Sequence, residues 1–321
     1  MENTLTALFV GLGSIGTRHL QNLGAICARQ GLALRAYALR SDLARPLRPG
    51  VADRLAAQFT ALDDPAAPPR YDVAFVTNPT SLHADALRLL RGRADTLFIE
   101  KPILDATQTR LELDALVPPA QKAYVAAPMR WCGAMLALKA WLAAHPDQKP
   151  YSARVICSSY LPDWRPGVDY RTVYSAHRDM GGGVTIDLIH EWDYLVDLFG
   201  RPQEVYHLKG TYSQLEIDSD DLSVYIARWP GLLGEVHLDY FGRTYRRSIE
   251  LFTPEGTLTA DFGAGTLTLP DGTVQHCEED VNERYLREMD YFVRYARTGS
   301  GPSCNTPREA LDVLRLTLGE K

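Results

Sequence analysis

The sequence has 321 residues, of which 45% are hydrophobic and 23% are charged, and its formal net charge is −6. This length favours two domains over a single core, and the composition is that of a globular protein. The negative charge gives no reason to expect nucleic acid or an anionic membrane as a partner. The five cysteines include no CxxC pair and no other ligand cluster is visible, so neither a disulfide framework nor a metal site is predicted.

No apolar stretch approaches the roughly 20 residues that a membrane span needs. The first residues lack a basic region, and the apolar run at residues 5–10 ends at once in a glycine motif. We therefore interpret this run as a buried strand and not as a signal peptide, and we expect a cytoplasmic protein.

Strands and helices alternate along the first part of the chain. Strands separated by helices of about 10–15 residues indicate a doubly wound parallel sheet, so we expect a Rossmann domain over residues 1–127. The apolar runs predict strands at residues 5–10, 34–39, 71–77, 96–99 and 123–126, and the spacing predicts helices at residues 17–29, 51–59, 81–90 and 107–116.

A glycine motif, GLGSIG at residues 11–16, follows the first predicted strand and opens the first helix. Glycines cluster in any turn, but this position in a βαβ unit is typical of a dinucleotide-binding site. In such a site Gly11 permits the tight turn, Gly13 lets the backbone approach a pyrophosphate, and Gly16 lets helix and strand pack closely. The positive helix start then faces the phosphates with the amides of Ser14 and Ile15.

The residues after the second predicted strand bear on the choice of cofactor. A site that prefers NAD usually has an acidic residue there for the ribose 2′-hydroxyl, whereas this chain has Arg40 and Ser41, followed by Asp42. A guanidinium suits a phosphate, so Arg40 and Ser41 favour NADP. NAD stays open, because Asp42 could reach the ribose and Arg40 could be a solvated loop charge.

Three further segments extend the pattern: TNPTSLH at residues 77–83, EKP at residues 100–102 and GGGVTIDLIHEWD at residues 181–193. Together with the glycine motif, their order and spacing resemble the glucose–fructose oxidoreductase/inositol dehydrogenase/rhizopine-catabolism family over nearly the whole chain. The resemblance implies an NAD(P)-dependent oxidoreductase in which an α+β domain with a large antiparallel sheet follows the Rossmann domain.

The resemblance also assigns residues to the cofactor and the reacting carbinol. It places Lys101 beside the nicotinamide, where an ammonium at the end of a sheet strand can stabilise negative charge on the substrate oxygen. The alternative is a surface lysine before the loop proline Pro102. The same resemblance implies that the cofactor is bound by Asn78, His83 and Glu100.

The family's second motif has an aspartate and a histidine on one helix, usually four residues apart, whereas Asp187 and His190 are three apart. Either spacing places both on one helix face, here in a polar stripe with Glu191 and Tyr194. His190 is expected to act as general acid and base, because its ordinary pKa lies near working pH, with Asp187 orienting or tuning it. Alternatively, Asp187 is a first-turn acid that stabilises the helix start.

From residue 151 the pattern changes to strands separated by short turns, which favours an antiparallel sheet in an α+β domain over residues 128–321. An open sheet face must be solvated or covered. Family members commonly cover it in oligomers, so we expect a homodimer or homotetramer. The predicted strands lie at residues 152–160, 204–212, 222–229, 233–241 and 247–253, and the helices at about 282–297 and 306–317.

Residues 160–171 form a predicted loop that carries Trp164, Arg165, Tyr170 and Arg171. Aromatic rings that stack on a sugar or base, interleaved with guanidiniums that bind phosphate or carboxylate, suit a nucleotide-sugar or an acidic sugar. The alternative is a loop that its own aromatic residues clamp onto the domain. By resemblance to the family, a substrate contact is also expected near Arg130.

These features predict reversible hydride transfer between NAD(P) and a carbinol or ketone of a sugar, sugar acid or nucleotide-sugar, as in surface-polysaccharide metabolism. Lys101 would polarise the oxygen, His190 would exchange its proton, and Asp187 would orient the pair. One alternative is a non-catalytic dinucleotide-binding sensor, which would need neither Lys101 nor His190. Another is an exchange-type enzyme that regenerates its nicotinamide within each turnover.

Overall fold

The computed structural model describes residues 3–320, which form two compact units. The first comprises residues 3–126 and Tyr285–Asp312, and the second comprises Ala127–Arg284 and residues 313–320. The first stretch of the first unit ends at Ala126, whereas the sequence placed the end of the first domain at residue 127. No sequence pattern indicated that Tyr285–Asp312 returns to the first unit. None of the helices within residues 3–320 is long and apolar enough to span a membrane.

The first unit is built on a parallel sheet of six strands, so the predicted doubly wound fold is confirmed. The strand order is β3-β2-β1-β4-β5-β6, so the sheet grows in opposite directions from the β1–β4 pair. The strands are β1 (Thr4–Val10), β2 (Ala33–Leu39), β3 (Leu55–Phe59), β4 (Tyr71–Val76), β5 (Ala94–Ile99) and β6 (Lys122–Val125), and the helices before β6 are α1 (Ser14–Arg29), α2 (His83–Leu89) and α3 (Leu113–Leu116).

Aromatic side chains form the centre of this unit. Phe9, Phe75 and Phe98 lie on the neighbouring strands β1, β4 and β5 and are fully buried. The ring centroids of Phe9 and Phe75 are 4.5 Å apart, and Phe292 packs edge-on against Phe98 at 5.1 Å. Strands buried on both faces read as continuous apolar runs, which is why the sequence predicted them.

Two of the helices predicted for the first unit are wrong. Residues 51–59 form one 3₁₀ turn (Ala52–Arg54) and then β3, because parallel pairing with β2 and burial of Phe59 outweigh the alanine-rich composition that favoured a helix. Within residues 107–116, only the four residues of α3 are α-helical. Val117 is extended, as expected of a residue that precedes a proline.

The second unit is built on an eight-stranded sheet in the order β14-β13-β12-β11-β7-β10-β9-β8. Among the described strands of this second sheet, only β7 and β10 pair in parallel, so the predicted mainly antiparallel sheet is confirmed. The strands are β7 (Ser152–Tyr160), β8 (Glu204–Gly210), β9 (Leu222–Trp229), β10 (Leu232–Asp239), β11 (Phe241–Thr253), β12 (Gly256–Asp261), β13 (Thr266–Thr268) and β14 (Val274–His276), and the remaining helices of the chain are α4 (Gly133–Ala144), α5 (Val184–Asp187), α6 (His190–Phe199), α7 (Val281–Thr298) and α8 (Pro307–Leu318).

The predicted single helix that carries Asp187 and His190 is wrong. Asp187 ends α5 and His190 begins α6, with Leu188 and Ile189 between them. The amide of Ile189 bonds to the carbonyl of Ile186, three residues back, so the backbone tightens at the junction. Asp187 and His190 therefore lie on two short helices.

The predicted polar stripe is also wrong, because Glu191 and Tyr194 are fully buried. Glu191 accepts hydrogen bonds from Nε and Nη2 of Arg247 at 2.7 and 3.0 Å. A buried carboxylate needs such a partner, so Glu191 belongs to the interior of the second unit.

Candidate active site

The glycine motif forms a turn in which each glycine has a different environment. Gly11 has φ +88°, and a Cβ there would lie 2.9 Å from Cα of Asn78. A Cβ on Gly16 would lie 2.6 Å from the carbonyl oxygen of Gly11, whereas a Cβ on Gly13 would have no atom within 4 Å. Gly11 and Gly16 are thus required by packing, while Gly13 faces open space that a ligand can approach.

The start of α1 is left without a cap. Gly13 offers no side-chain cap, and the first turn contains no acidic residue. The first intrahelical bond runs from the amide of Thr17 to the carbonyl of Gly13 at 3.0 Å, so the amides of Ser14, Ile15 and Gly16 precede it. Uncapped amides at the positive end of a helix are suited to an anion.

At the end of β2, Arg40 already has partners within the protein. Its guanidinium is buried, where Nη1 donates to Oε1 of Gln58 at 2.7 Å and Nη2 donates to the carbonyl of Arg45. Gln58 lies on β3, the strand that the sequence did not predict. Arg40 therefore ties this loop to the sheet, while Ser41 and Asp42 are exposed, and a contact of Arg40 or Ser41 with the cofactor stays a prediction.

At the end of β4, Asn78 and His83 have separate functions. The side-chain amide of Asn78 donates to the carbonyl of Leu82, but its Oδ1 is buried and has no protein partner among the described residues. His83 is buried, with its ring nitrogens 3.1 and 3.2 Å from the carbonyls of Asn78 and Ile103. Burial lowers the pKa of His83 although these hydrogen bonds raise it. His83 thus holds two loops together, and its contact with the cofactor stays a prediction.

At the end of β5, the carboxylate of Glu100 also has hydrogen-bond partners within the protein. Its Oε1 lies 2.5 Å from Nε2 of His19, a fully buried residue of α1, and its Oε2 accepts from the amide of Lys101 at 3.1 Å. Burial raises the pKa of Glu100. The hydrogen bond and charge of His19 and the charge of Lys101 lower this pKa by more than burial raises it, so the net shift is downward. Glu100 thus holds α1 and the amide of Lys101, and its contact with the cofactor stays a prediction.

Lys101 is the half-buried residue that follows β5 and precedes a cis peptide bond to Pro102. Its ammonium makes no hydrogen bond or ion pair with any residue in the described range 3–320. The amide of Lys101, however, is held by Glu100. The carboxyl edge of β1, β4 and β5 thus presents a glycine turn, an unpartnered amide oxygen and an ammonium.

Arg130, predicted near the substrate, is instead buried in the second unit. Its Nε and Nη2 donate to the two carboxylate oxygens of Asp193 at 2.8 and 2.7 Å, and its Nη1 donates to Asp197 at 2.9 Å. A guanidinium with two carboxylate partners stabilises the interior of the unit. Arg130 therefore has a structural function, and its contact with the substrate stays a prediction.

Asp187 is buried and accepts two tyrosine hydroxyls. The hydroxyl of Tyr174 donates to Oδ1 at 2.7 Å, and that of Tyr240 donates to Oδ2 at 2.6 Å. Burial and the negative charge of Asp187 raise the pKa of both tyrosines, so they remain protonated donors. His190, at the start of α6, is half-buried. Asp187 is thus held by tyrosines that the sequence did not single out.

The loop at residues 160–171 folds onto this network. The indole Nε1 of Trp164 donates to Ser159 at 3.1 Å, and its ring packs edge-on against Tyr240 at 5.2 Å. The guanidinium of Arg165 lies 5.9 Å from the ring centroid of Tyr174. Trp164 and Arg165 are thus close to the Asp187 network.

The other two candidates of this loop have local partners. The hydroxyl of Tyr170 accepts from the amide of Glu216 at 3.2 Å. Arg171 forms ion pairs with Asp169 and Glu216. Both residues therefore join this loop to the segment that contains Glu216.

Sequence reasoning missed His19, Tyr174 and Tyr240. A signal existed only for His19, which is a polar residue within the buried face of α1. The partners of Asp187 lie 13 and 53 residues away along the chain, and no local pattern marks them. No group of three or more metal-ligating side chains was found within residues 3–320.

Solved structures with this architecture include several dehydrogenases. Levoglucosan dehydrogenase, in a complex with NADH and levoglucosan, matches with a TM-score of 0.80 and 17% identity over 98% of this chain and 95% of that chain. The WlbA dehydrogenase from Bordetella pertussis, in a complex with NADH and UDP-GlcNAcA, matches with a TM-score of 0.75 and 20% identity over 98% and 94%. This chain shares their fold.

A third neighbour is the UDP-N-acetylglucosamine 3-dehydrogenase GnnA from Acidithiobacillus ferrooxidans, with a TM-score of 0.71 and 18% identity over 98% of this chain and 96% of that chain. No protein-family model and no curated protein sequence matches the chain. At these identities the likeness establishes the fold, and function must be argued from the chain's own residues.

Proposed function

We propose that this protein is a nicotinamide-dinucleotide-dependent oxidoreductase that acts on a carbinol or ketone of a sugar-like substrate. The observation that carries the proposal is the carboxyl edge of the first sheet. There, a glycine turn with open space at Gly13 lies at the end of β1, and Lys101 follows β5. Three neighbours of the same fold are dehydrogenases, two of them in complexes with NADH.

The residues at this edge fit a dinucleotide. The amides of Ser14, Ile15 and Gly16 would bind the pyrophosphate, because the helix start is uncapped and carries a positive partial charge. The buried Oδ1 of Asn78, which lacks a protein partner among the described residues, would accept a hydrogen bond from the cofactor. These residues lie where the strand order of the sheet reverses, the usual ligand site of such sheets.

Within this proposal, NAD has more support than the NADP that the sequence favoured. Arg40 is buried and its guanidinium donates to Gln58 and to the carbonyl of Arg45, so two of its N–H groups are already used and less of it remains for a 2′-phosphate. Ser41 and Asp42 are exposed beyond β2. Asp42 supplies a carboxylate to which the ribose 2′-hydroxyl can donate a hydrogen bond.

The proposed chemistry assigns one function to each of three residues. When bound, the nicotinamide accepts or supplies the hydride. Lys101 donates a hydrogen bond to the reacting oxygen and stabilises its negative charge. His190 exchanges the proton of that oxygen, and Asp187 holds Tyr174 and Tyr240 in place as donors.

The proposal also includes a homo-oligomer, a homodimer or homotetramer, formed through the second sheet. Tyr206, Leu208, Ile226 and Leu233 are 65%, 78%, 41% and 51% exposed, and Tyr206 and Ile226 are direct neighbours on β8 and β9. Exposed apolar residues grouped on a sheet face mark an interaction surface. Light scattering of the purified protein gives the mass in solution.

A kinetic comparison of Lys101→Ala with the wild type tests the catalytic assignment. With a panel of free sugars, sugar acids and nucleotide-sugars, we expect Lys101→Ala to lower kcat about 100-fold or more on any substrate that the wild type turns over. The affinity for NADH should change little, and the exposed Lys149→Ala should match the wild type. Full turnover by Lys101→Ala would refute this role. A wild type that binds NADH but oxidises and reduces nothing would favour the sensor.

A further inference from the structure

The connection between β8 and β9 ends in four residues, 218–221, that form neither helix nor strand. Ser219 and Asp221 in this segment are fully buried. A buried segment without regular structure must find partners for its polar groups in other parts of the chain. Each of its four residues forms a hydrogen bond with the part of the second unit that carries Asp187 or one of the two tyrosine donors to Asp187.

Asp220 caps the start of α5, the short helix that ends at Asp187. The backbone carbonyl of Asp220 accepts the amide of Val184 at 2.9 Å, and its Oδ2 accepts the amide and the hydroxyl of Thr185 at 2.9 and 2.5 Å. A Cβ on Gly183 would lie 2.7 Å from Oδ1 of Asp220, so only glycine allows this close approach. A helix of four residues is not stable by itself, so the position of α5 depends on such contacts.

Asp218 and Ser219 hold the turn that begins with Tyr174. The amide of Asp218 donates to the carbonyl of Ala176 at 3.1 Å, and the hydroxyl of Ser219 donates to the carbonyl of Ser175 at 2.7 Å. Both carbonyls belong to the 3₁₀ turn that starts with Tyr174. The same segment that caps α5 therefore also fixes the backbone beside the first tyrosine donor.

Asp221 holds Tyr240, the second tyrosine donor. The amide of Tyr240 donates to the carbonyl of Asp221 at 3.0 Å. The carboxylate of Asp221 is used elsewhere, since its two oxygens accept the amides of Tyr212 and Ser213 at 2.8 and 2.9 Å. Residues 218–221 thus contact all three parts of the chain that meet at the Asp187 carboxylate.

We infer that Asp220 is a positioning residue of the proposed oxidoreductase, because it holds α5 where Asp187 receives its two tyrosine hydroxyls. The inference rests on the proposed function, in which this carboxylate and its tyrosines take part in the reaction. Among the described residues, Asp220 makes no hydrogen bond to Asp187 or to either tyrosine, so it acts through α5. Its bond to the amide of Thr185 is charge-assisted and therefore stronger than a neutral one.

A double-mutant cycle in urea tests this inference without cofactor or substrate. The free energy of unfolding is measured for the full-length wild type, Asp220→Ala, Tyr240→Phe and the double variant. In the Asp220→Ala background, Tyr240→Phe should cost about half as much or less, because a displaced Asp187 no longer receives that hydroxyl. In the Asp220→Asn background the full loss should return, since asparagine keeps an oxygen acceptor for Thr185.

Additive effects of Asp220→Ala and Tyr240→Phe overturn the inference, since a residue that only stabilises the fold does not change the Tyr240 bond. The matched control is Asp271→Ala, at an exposed aspartate of the same unit that accepts the amide of Thr273 at 2.9 Å. Its effect should add to that of Tyr240→Phe. If Asp220→Ala does not fold, Thr185→Val takes its place, because it removes the hydroxyl that donates to Asp220, and additivity then overturns the inference in the same way.

A kinetic measurement separates this inference from the proposed function. D-glucose, D-glucuronate and UDP-glucose are offered with NAD to the wild type and the Asp220 variants. On any of these that the wild type oxidises, Asp220→Ala should lower kcat about tenfold or more with little change in NADH affinity, and Asp220→Asn should restore most of kcat. Wild-type kcat in Asp220→Ala overturns the inference. A wild type that does not bind NADH refutes the dinucleotide proposal, whereas the urea cycle still decides whether Asp220 positions Asp187.

Discussion

The two candidate regions are built in different ways. The edge of the first sheet is made mostly of backbone, a glycine turn and strand ends, and its residues follow the strands that position them. The region around Asp187 is made of side chains, and the partners of Asp187 lie 13 and 53 residues away. A local sequence motif therefore describes most of the first region and only one member of the second.

The largest effect expected from this comparison concerns the buried hydrogen-bonded pair of Glu100 and His19 behind the sheet edge. Glu100→Ala removes the partner of His19 and leaves an imidazole with no exposed surface and no hydrogen bond at either nitrogen, since Nδ1 already lacks a partner. Leaving a buried hydrogen-bonding group without its partner costs about 1–3 kcal/mol, so the free energy of unfolding in urea should fall by about 3 kcal/mol. If Glu100→Ala lowers the free energy of unfolding no more than the exposed Glu112→Ala does, this assignment is contradicted.

A smaller effect is expected where side chains form the second region. Tyr240→Phe removes one buried hydroxyl from Asp187 but leaves Tyr174, so the free energy of unfolding should fall by about 1 kcal/mol. The exposed Tyr212→Phe, at 68% exposure, is the control. If both variants are equally stable, the tyrosine pair does not hold Asp187.

The smallest effect is the pH dependence of the pair at the sheet edge. The pKa of Glu100 is lowered in the folded state, so its ionisation stabilises the fold at pH values above its ordinary value of 4.5. That contribution is lost as pH falls through the folded pKa. Glu100→Gln keeps the shape of the side chain without its charge. The difference in free energy of unfolding between the wild type and this variant should therefore shrink as the pH falls below 4.5. A deficit that grows with acid would contradict the sign.

The residues also explain how far the sequence could predict the structure. Apolar runs located the parallel strands because strands buried on both faces leave a continuous pattern. The same reasoning failed for β3, whose alanine-rich sequence becomes a strand only through pairing with β2. The hydrogen bond from Arg40 to Gln58 of β3 was hidden for the same reason, because it requires a strand that the sequence did not predict.

In the second unit, the three-residue spacing of Asp187 and His190 fits one helix face, but the chain breaks there into α5 and α6. The Asp187 carboxylate is fixed by Tyr174 and Tyr240, and such contacts across a sheet and a loop leave no periodic signal in the sequence. The motif residues could thus be found from sequence, whereas the partners that determine their environment could not.

Titration of cofactor-free protein with NADH and NADPH, on the wild type and on Gly13→Val, tests the central claim most directly. A Cβ at Gly13 would meet no atom within 4 Å, so Gly13→Val should stay folded with a small loss of helix-start stability, while its affinity for the dinucleotide falls about tenfold or more. The account predicts binding of NADH by the wild type and its loss in this variant. A wild type that binds neither dinucleotide, or a Gly13→Val protein that binds as tightly, would contradict it.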